Sequence, residues 1–412
     1  MRKIILIFTF ILFSFQILQA QWIKQFSPNH DLRDIEFINR YTGWTCGENY
    51  IYKTTDGGIS WNEQTHPDAF LIQQIFPVND SVVYACGWWN FMKTTNGGDN
   101  WSAIFNGSTG QGLPVLEGLH FINENTGWLV GNVVVMKTSN GGISFIDSMR
   151  MNGDMQDVFF KDSLNGVACG MVSNFHKTTN GGENWYRIQV IQNGPLYDFY
   201  RISVLNDNLI WLASKSVYKS PNFGDSWDSL GLIPLENPNR SIHCMKFTSS
   251  LIGYAGGQSL ELFKTVNGGY NWVPQQTSQF TPGLYLGLYA YNDSIVWASG
   301  RRIILNTTTG GLVGIDKSNI NNRNKYFTLF QNYPNPFNPK TVIKYSVDKA
   351  CKVSIKIYDI LGKNLKTILK EKKSVGIYDV TFDGSELSCG VYFYTLEIND
   401  ITVDSKKLLL IK

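Results

Sequence analysis

A hairpin signature recurs seven times along the chain, and this repeat constrains the fold more than any other feature of the sequence. The clearest copy runs Thr54-Thr55-Asp56-Gly57-Gly58-Ile59-Ser60-Trp61. The glycine in the fifth position of each copy lies at 58, 98, 142, 182, 224, 269 and 311. A period near 42 residues with four short β-type runs per unit is the spacing of a propeller blade. The sequence therefore predicts an all-β chain dominated by a seven-bladed β-propeller over residues 21–312.

The chemistry of the signature is structural. An Asp or Asn side chain accepts hydrogen bonds from nearby backbone N–H groups, and the glycines supply positive φ. The tryptophan that follows buries a large apolar surface at the start of the outer strand. Asp56 keeps the acid, whereas the other copies carry Asn or, in the last unit, Thr309.

The two ends of the repeat region complement each other. The seventh unit offers three strands, over 284–291, 294–299 and 303–307, but no tryptophan strand follows Gly311. The segment from Gln21 to Gln25 contains Trp22 and matches the missing strand. We therefore expect the N-terminal segment to complete the last blade and close the ring, which removes exposed strand edges.

A second domain is predicted after a polar linker over 313–326. Runs such as 352–358 alternate polar and apolar residues, the period of a half-buried strand. Five or more such runs separated by turn residues predict a small Ig-like β-sandwich over 327–412. The proline- and asparagine-rich run at 332–339 cannot continue a strand ladder and is expected to form an ordered turn at the domain's entrance.

This second domain resembles the type A C-terminal sorting domain of cargo for the type IX secretion system. The resemblance rests on 332–339, on Ile357-Tyr358-Asp359 with Gly362 behind it, and on 388–392. The matching motif positions are Asn332, Pro334, Asn335, Pro336, Asn338, Pro339, Gly362, Gly390 and Tyr392. The resemblance implies that the secretion machinery and its sorting peptidase are partners, and that the product is secreted or reaches the outer cell surface.

The N-terminus agrees with export. Arg2 and Lys3 precede an apolar run over 4–18, and Ala20 suits the position before a signal peptidase cut. The run is shorter than the ~20 apolar residues of a membrane span. We expect 1–20 to be a signal peptide and the mature protein to be a soluble monomer that passes through the periplasm.

The repeats resemble Asp-box hairpins, the bacterial neuraminidase repeat. Together with the preceding strand of the type Gly43-Trp44-Thr45-Cys46-Gly47, they look most like the photosystem II assembly-factor family of propellers. Asp-box hairpins are widespread scaffold elements, so the resemblance implies a fold far more than an activity.

Charge excludes one class of partner. Residues 21–316 carry 18 Lys and Arg against 24 Asp and Glu, and residues 317–412 carry 16 against 9. Neither sign dominates the chain, so no nucleic-acid partner is expected. The six cysteines include no close Cys-x-x-Cys pair, and no His cluster accompanies them, so neither a metal site nor a cofactor is expected.

Repeated cysteines and lysines have structural interpretations. Cys46, Cys86 and Cys169 occupy one position in three blades and are expected to be small buried apolar residues. Cys351 and Cys389 share the second domain, and whether they pair is left open. A lysine precedes each of the first six hairpins, at 53, 93, 137, 177, 219 and 264, with Asn306 in the seventh place. These lysines either form a basic collar or, as we favour, lay their stems over neighbouring tryptophans while their heads remain in water.

A ligand site is expected on the rim opposite the hairpins, which is built by loops between second and third strands and between blades. Aromatic faces with adjacent arginines suit sugars or peptide carboxylates. The candidate residues are Trp88, Trp89, Asp157, Tyr197, Tyr200, Arg201, Arg240, His243 and Arg301.

Two functions remain open at this point, beside a third class, a purely structural scaffold, which predicts a polar pocket without aromatic clustering. The first is a secreted or surface propeller that binds an extracellular glycan or protein ligand without catalysis. The alternative is an extracellular Asp-box glycoside hydrolase, either sialidase-like or glucanase-like. Arg201, Arg240 and Arg301 could supply a sialidase arginine triad, but the inner strands of the later blades offer no Glu to partner a tyrosine nucleophile. We therefore expect no catalytic residues.

Overall fold

The computed structural model describes residues 22–411 with internal gaps. The gaps are 68–70, 107–114, 133, 151–152, 192–196, 207, 236, 238–239, 259–260, 278–279, 281–283, 312–326, 348–349, 360–363 and 399–400. The expected signal peptide over 1–20, the linker over 313–326 and the motif residue Gly362 lie outside the described residues.

The described chain is all-β, as expected. Residues up to 311 contain short antiparallel strands: β1 (Ile23–Phe26), β2 (Asp34–Phe37), β3 (Gly43–Gly47), β4 (Tyr50–Thr54), β5 (Asn62–Glu63), β6 (Ile72–Pro77), β7 (Val83–Gly87), β8 (Asn90–Thr94), β9 (Trp101–Asn106), β10 (Leu116–Phe121), β11 (Gly127–Gly131), β12 (Val134–Thr138), β13 (Ile146–Arg150), β14 (Met155–Phe160), β15 (Gly166–Gly170), β16 (Phe175–Thr178), β17 (Tyr186–Arg187), β18 (Ile202–Leu205), β19 (Leu209–Ala213), β20 (Ser216–Ser220), β21 (Asp228–Leu232), β22 (Ile242–Phe247), β23 (Gly253–Gly257), β24 (Leu262–Thr265), β25 (Val273–Pro274), β26 (Tyr285–Ala290), β27 (Val296–Gly300) and β28 (Ile303–Thr307).

These strands form four-stranded sheets in chain order: β2 to β5, β6 to β9, β10 to β13, β14 to β17, β18 to β21 and β22 to β25, with β26, β27, β28 and β1 in a further sheet. The first strand of each sheet contacts the first strand of the next, and β26 contacts β2. The sheets therefore surround a central axis, the arrangement of a β-propeller.

The N-terminal strand closes the ring, as the sequence predicted. β1 pairs antiparallel with β28, with Ile23 opposite Asn306 and Lys24 opposite Leu305. The Trp22 side chain is 1% exposed and packs in the same core cluster as Tyr254. Its Nε1 lies 3.4 Å from Gln275 Oε1 of the preceding sheet. Residues 280 positions apart thus share one sheet.

The hairpin signatures use the hydrogen bonds expected of them. Asp56 Oδ1 accepts from Ser60 N at 2.9 Å, and Asn96 Oδ1 accepts from Asn100 N at the same distance. Asn therefore replaces Asp without loss, because the bond needs only the acceptor oxygen. Thr54 Oγ1 accepts from Gly58 N, which has a φ of +88°.

At most boundaries between neighbouring sheets, which we call joints, an aromatic side chain of one sheet donates a hydrogen bond to the hairpin of the next. We call such a hydrogen bond a lock. Trp44 Nε1 donates to Gly97 O at 3.2 Å, and Trp297 Nε1 donates to Gly57 O at 3.1 Å across the closing joint. Further locks of this kind are Tyr84 to Gly141, Trp128 to Gly181, Trp211 to Gly268 and Tyr254 to Gly310.

The repeated lysines lie over aromatic rings, as we favoured, but only three of the six rings are tryptophans, and Lys177 lies over Phe223. The expected exposure of the lysine heads is wrong for Lys264, which is buried. Lys53 Nζ is 5.4 Å from the ring centre of Trp44, and Lys219 Nζ is 5.2 Å from that of Trp211. Lys264 also donates to Gly310 O at 2.6 Å. The ammonium groups of these lysines therefore lie at the joints between sheets.

The C-terminal domain contains two antiparallel sheets on a common core. Its strands are β29 (Phe327–Leu329), β30 (Lys340–Val347), β31 (Cys351–Tyr358), β32 (Asn364–Lys373), β33 (Gly376–Asp383), β34 (Gly390–Ile398) and β35 (Ile401–Leu410). One sheet has the order β29-β30-β33 and the other β32-β31-β34-β35. Ile343 from the first and Ile355 from the second are fully buried in the shared core.

The strand register settles the open question about two cysteines. Val353 pairs with Ile398 and Tyr358 with Phe393, so Cys351 and Cys389 lie toward opposite ends of this sheet. At ~3.3 Å per residue their separation is more than about 20 Å, well beyond the ~7 Å limit for a disulfide. Cys46, Cys86 and Cys169 are fully buried on equivalent second strands, as expected.

Candidate functional site

The propeller has two distinct faces. Turns between second and third strands, such as the one at Glu48 and Asn49, define the end of the sheets that we call the loop face. The hairpins of the repeated signature leave the opposite end, which we call the hairpin face, where Phe37 pairs with Gly43 and Gly43 with Thr54. The first strand of each sheet runs between the two faces and lines the central channel.

The middle of the channel is held together by side chains that cap the backbone of the next sheet. Asp34 Oδ2 accepts from Ile75 N at 3.1 Å, and Gln74 Oε1 accepts from Leu119 N at 2.6 Å. Inner strands have no neighbour on the channel side, so their N–H groups need such acceptors. A structural role therefore accounts for these polar residues.

Asp157 occupies the equivalent position in its sheet and uses both carboxylate oxygens in this way. Oδ2 accepts from Ile202 N at 2.8 Å and Oδ1 from Val158 N at 3.0 Å. Burial raises the pKa of Asp157, and Arg201 and these N–H donors offset part of the increase. Its predicted binding role remains a prediction beside this structural one.

Arg201 lies in the channel between carboxylates. Its Nη1 donates to Gln156 O and Tyr200 O, each at 3.3 Å. Burial opposes the guanidinium charge, but Asp157 and Asp34 raise the pKa of Arg201 above its usual value. These carboxylates compensate part of its charge, and the predicted ligand-binding role of Arg201 remains a prediction beside this structural one.

The other two arginines of the hypothetical triad lie elsewhere. Arg301 is exposed in the turn between β27 and β28 and pairs through its backbone with Asp31. Arg240 is half-buried just before β22, and its backbone N–H donates to Asn237 O. Of these three arginines, Arg201 lines the described central cavity, whereas Arg240 and Arg301 do not.

The loop-face mouth of the channel carries a second ring of polar side chains, one step above Asp34. Arg33 Nη1 donates to Gln73 Oε1 at 2.9 Å. Glu117 Oε1 accepts from Trp88 Nε1 at 3.3 Å, and burial raises the pKa of this carboxyl. The sequence analysis missed Arg33 and Gln73, although their place directly before Asp34 and Gln74 in the repeat could have identified them.

Trp88 and Trp89 form an indole pair at this mouth. They occupy the turn between β7 and β8, with ring centres 6.0 Å apart in an edge-to-face arrangement. Trp89 has a φ of +58° and a side chain 41% exposed. Arg302 has a φ of +57° at the equivalent position of the turn between β27 and β28, so this conformation recurs in the repeat, and the exposed indole is what distinguishes Trp89.

A second aromatic group lies on the fifth and sixth sheets. The Tyr200 and His243 rings stack at 3.9 Å with an angle of 18°, and Tyr200 OH donates to Asp198 Oδ2 at 3.5 Å. Burial lowers the pKa of His243 to about 4, so its imidazole is neutral at physiological pH. Tyr197 exchanges hydrogen bonds with Ser173, which ties it to the turn after β15.

The hairpin-face half of the channel is a cavity of about 250 Å³. Its wall includes Glu36, Phe76, His120, Phe159 and Lys246. These residues occupy one repeat position, opposite the second residue of the neighbouring strand. Sequence reasoning did not single out Glu36 or Lys246. Most sheets carry no charged residue at this repeat position, so the repeat shows no pattern of charge there.

Titration in this cavity is strongly perturbed. Burial raises the pKa of Glu36 to about 8, against the opposing effect of Lys246. Burial, with Lys246 adding to the effect, lowers the pKa of His120 to about 3. His120 Nδ1 faces the backbone N–H of Phe160 at 3.3 Å and accepts from it. The imidazole is therefore neutral.

Neither a cluster of metal-ligating side chains nor a long apolar helix occurs in the described part of the chain. No group of three or more His, Cys, Asp or Glu side chains there is arranged to hold a metal ion. Among the same residues, no helix has the length and apolar character to span a membrane.

The motif at residues 332–339 of the C-terminal domain contains buried side chains that attach it to the domain and exposed side chains. Asn332 is buried, with Nδ2 donating to Thr341 Oγ1 at 2.9 Å, and Asn335 Oδ1 accepts from Leu409 N at 2.9 Å. Phe337 is in the core and bridges Leu410. The motif thus covers the outer edge of β35.

The remaining motif residues contribute surface or turn structure. Pro334, Pro336 and Asn338 are exposed, and Pro339 is half-buried. The peptide bonds before Pro334 and Pro336 are cis. Gly390 begins β34, and Tyr392 OH donates to Ser388 O at 2.8 Å.

Comparison with known proteins identifies the tail. Residues 331–412 match the family model described as the secretion system C-terminal sorting domain. This confirms the sorting domain expected from the sequence and implies export to the cell surface or secretion. No curated protein sequence matches the chain.

Solved structures similar to this chain are propellers of several functions. YCF48 bound to D1 peptide is 18% identical, with a TM-score of 0.57, and the match covers 70% of this chain and 96% of that one. YCF48 from Cyanidioschyzon merolae is 17% identical, with a TM-score of 0.57 and coverages of 70% and 99%. The GH74 xyloglucanase from Xanthomonas campestris is 11% identical, with a TM-score of 0.54 and coverages of 70% and 54%.

Identities this low show the fold alone. The expected likeness to photosystem II assembly-factor and Asp-box propellers is confirmed at that level. Residues 331–412 therefore match the secretion system C-terminal sorting domain family, and the sheets before them are similar in fold to YCF48.

Proposed function

We propose that the protein is a non-catalytic, seven-bladed binding propeller that the type IX system exports through the periplasm. Each four-stranded sheet up to residue 311 is one blade, and β1 completes the last. The two sheets behind them form an Ig-like sorting domain. The ring of contacts from β2 through β26 and back to β2 supports this blade count.

The ligand surface that we propose is the loop face around Trp88 and Trp89. The observation that carries it is Trp89, a tryptophan that is 41% exposed at a φ of +58°. Such a conformation costs of order 1 kcal/mol or more, and exposing an indole forgoes its burial. Glu117, fixed by Trp88, lies beside this platform. An aromatic face with an adjacent polar group suits a glycan or a peptide.

The test is a glycan and peptide array probed with the purified mature protein, followed by titration of any ligand found. Trp89→Ala should weaken binding about tenfold without changing the melting temperature. Tyr186→Ala removes an aromatic residue that is 58% exposed on the outer strand β17 and should leave binding unchanged. Unchanged binding in the Trp89 variant would contradict the proposed surface.

The glycoside hydrolase alternative has one supporting observation. Asp34, Glu36 and Asp157 all face the central cavity, and a GH74 xyloglucanase shares the fold. Two of these carboxylates accept backbone hydrogen bonds and lie beside Arg201, which favours a structural role. We expect no release of reducing sugar from xyloglucan or sialosides. Turnover that disappears in Glu36→Gln would establish the alternative.

A further inference from the structure

The hairpin-face cavity holds an acidic and a basic side chain that the protein itself does not join. Within the described residues, Glu36 and Lys246 form no hydrogen bond or ion pair with each other, although both line the 250 Å³ cavity. The two side chains still interact electrostatically, because Lys246 opposes the increase in the pKa of Glu36. Burial favours the protonated Glu36 carboxyl and leaves the Lys246 ammonium unpaired, so an occupant that brings an ammonium to Glu36 and a carboxylate to Lys246 would stabilise the Glu36 carboxylate and pair the Lys246 ammonium.

The neighbouring charged groups do not share this property. Asp34 and Asp157 accept backbone hydrogen bonds, and Arg201 donates to two carbonyl oxygens. Only Glu36 and Lys246 among the charged residues that line the described cavity are left without such a bond. They occupy one repeat position in the first and sixth sheets, with Tyr289 at that position in the sheet between them.

The wall between the two charges is aromatic and neutral. The Phe76 and His120 ring centres lie 5.1 Å apart, and those of His120 and Phe159 lie 4.6 Å apart. His120 stays uncharged because of its low pKa. A cavity of ~150 Å³ already accepts benzene, so 250 Å³ accommodates a small molecule with an apolar body.

We propose that this cavity binds a small zwitterion, a molecule with an ammonium and a carboxylate on neighbouring atoms, such as a free aromatic amino acid. The ammonium lies at Glu36, the carboxylate at Lys246, and the apolar body lies against Phe76, His120 and Phe159. This site is on the hairpin-face side of the channel and is separate from the loop-face surface around Trp89.

Calorimetric titration of the mature protein with three matched probes tests the proposal. Phenylalanine carries both charges, phenethylamine only the ammonium, and 3-phenylpropanoate only the carboxylate. Phenylalanine is expected to bind at least tenfold more tightly than either single-charge probe. Absence of phenylalanine binding up to millimolar concentrations, or equal binding of the three probes, would overturn the proposal.

Two substitutions test whether Glu36 binds the ammonium and Lys246 the carboxylate of the ligand. Glu36→Gln and Lys246→Met keep side-chain size and should each weaken phenylalanine binding about tenfold or more, whereas Tyr186→Ala should not. Melting temperatures establish that each variant is folded. Unchanged binding in both folded variants contradicts the proposal. If a variant does not fold, the three-probe comparison on the unaltered protein still decides the question.

Discussion

At the residue scale, the same aromatic side chain has different consequences in different strands. Trp44 and Trp61 are both buried, but only Trp44 donates its Nε1 hydrogen to a described acceptor, the carbonyl oxygen of Gly97 in the next sheet. The second strand therefore supplies the lock between sheets, while the tryptophan after the hairpin supplies apolar packing. Sequence reasoning identified the packing role and missed the lock, because the acceptor lies 53 residues away.

Comparison of Trp44→Phe with Trp61→Phe separates these roles. Both variants lose part of an indole, but only Trp44→Phe leaves a carbonyl oxygen without its donor. We expect Trp44→Phe to lower the free energy of unfolding by about 1 kcal/mol more than Trp61→Phe. Urea denaturation of both proteins measures the difference. Equal losses would mean that the bond across the joint contributes nothing to stability.

Glu36 gives stability a definite pH dependence. Its pKa is about 8 in the folded protein against 4.5 in the unfolded chain, so between these values the folded state binds more protons. Stability should therefore fall as pH rises, by up to about 2 kcal/mol between pH 6.5 and 8. Asp34 and Asp157 have raised pKa values and act in the same direction.

Denaturation of Glu36→Gln over the same pH range is the corresponding measurement. The variant keeps the shape of the side chain but cannot titrate, so its decline should be clearly smaller. The range begins at 6.5 because His120, His176 and His243, with lowered pKa values, act in the opposite direction below it. Parallel curves for the two proteins would show that Glu36 is not the group responsible.

At the element scale, β1 determines whether the ring is closed. It covers the edge of β28, and Trp22 fills the core beside Tyr254. The register of β1 with β28 agrees with the pairing predicted from the missing seventh tryptophan strand. A short strand far from its partner in sequence thus completes a sheet.

Removal of Trp22 tests the closure. Trp22→Ala should destabilise the propeller by about 3 kcal/mol or more, comparably to Trp101→Ala, since both remove a buried indole. A protein that begins at Ser27 should melt earlier and aggregate through the exposed edge of β28. Melting of the truncated protein at the temperature of the intact mature protein would disprove a stabilising role for β1.

At the scale of the whole molecule, the two domains have separate tasks. The propeller has its own cores, and the C-terminal domain has a core formed by both of its sheets. The family match covers only the second domain. Under the proposed function, we therefore expect that export and ligand binding can be altered independently.

Deletion of residues 327–412 should leave a folded propeller in the periplasm and none at the surface. Cell fractionation with surface protease treatment measures both outcomes. Mass spectrometry of the mature product should place the processing site between Gly314 and Tyr326, where the sequence has no apolar pattern. Normal surface delivery of the deleted form would contradict the assigned role of the tail.

The repeat, the closure of the ring by the N-terminal segment and the sorting domain could all be predicted from the amino-acid sequence. The hairpin signature at residues 54–61 is local, so its turn chemistry can be read from neighbouring residues, and the missing strand after Gly311 pointed to Trp22. The motif at 332–339 was sufficient to predict the sorting domain, which the family match confirms.

The contacts between side chains in the channel could not be predicted from the sequence and are known from the tertiary structure. Arg201 and Asp157 were singled out for a ligand, but the structure shows hydrogen bonds to the backbone of their own and neighbouring sheets. Glu36 and Lys246 share a cavity although 210 residues separate them. The first strand of each sheet contributes one residue to each repeat position that faces the channel. The charge around the channel at one such position therefore depends on residues from all the sheets, which lie far apart in the sequence.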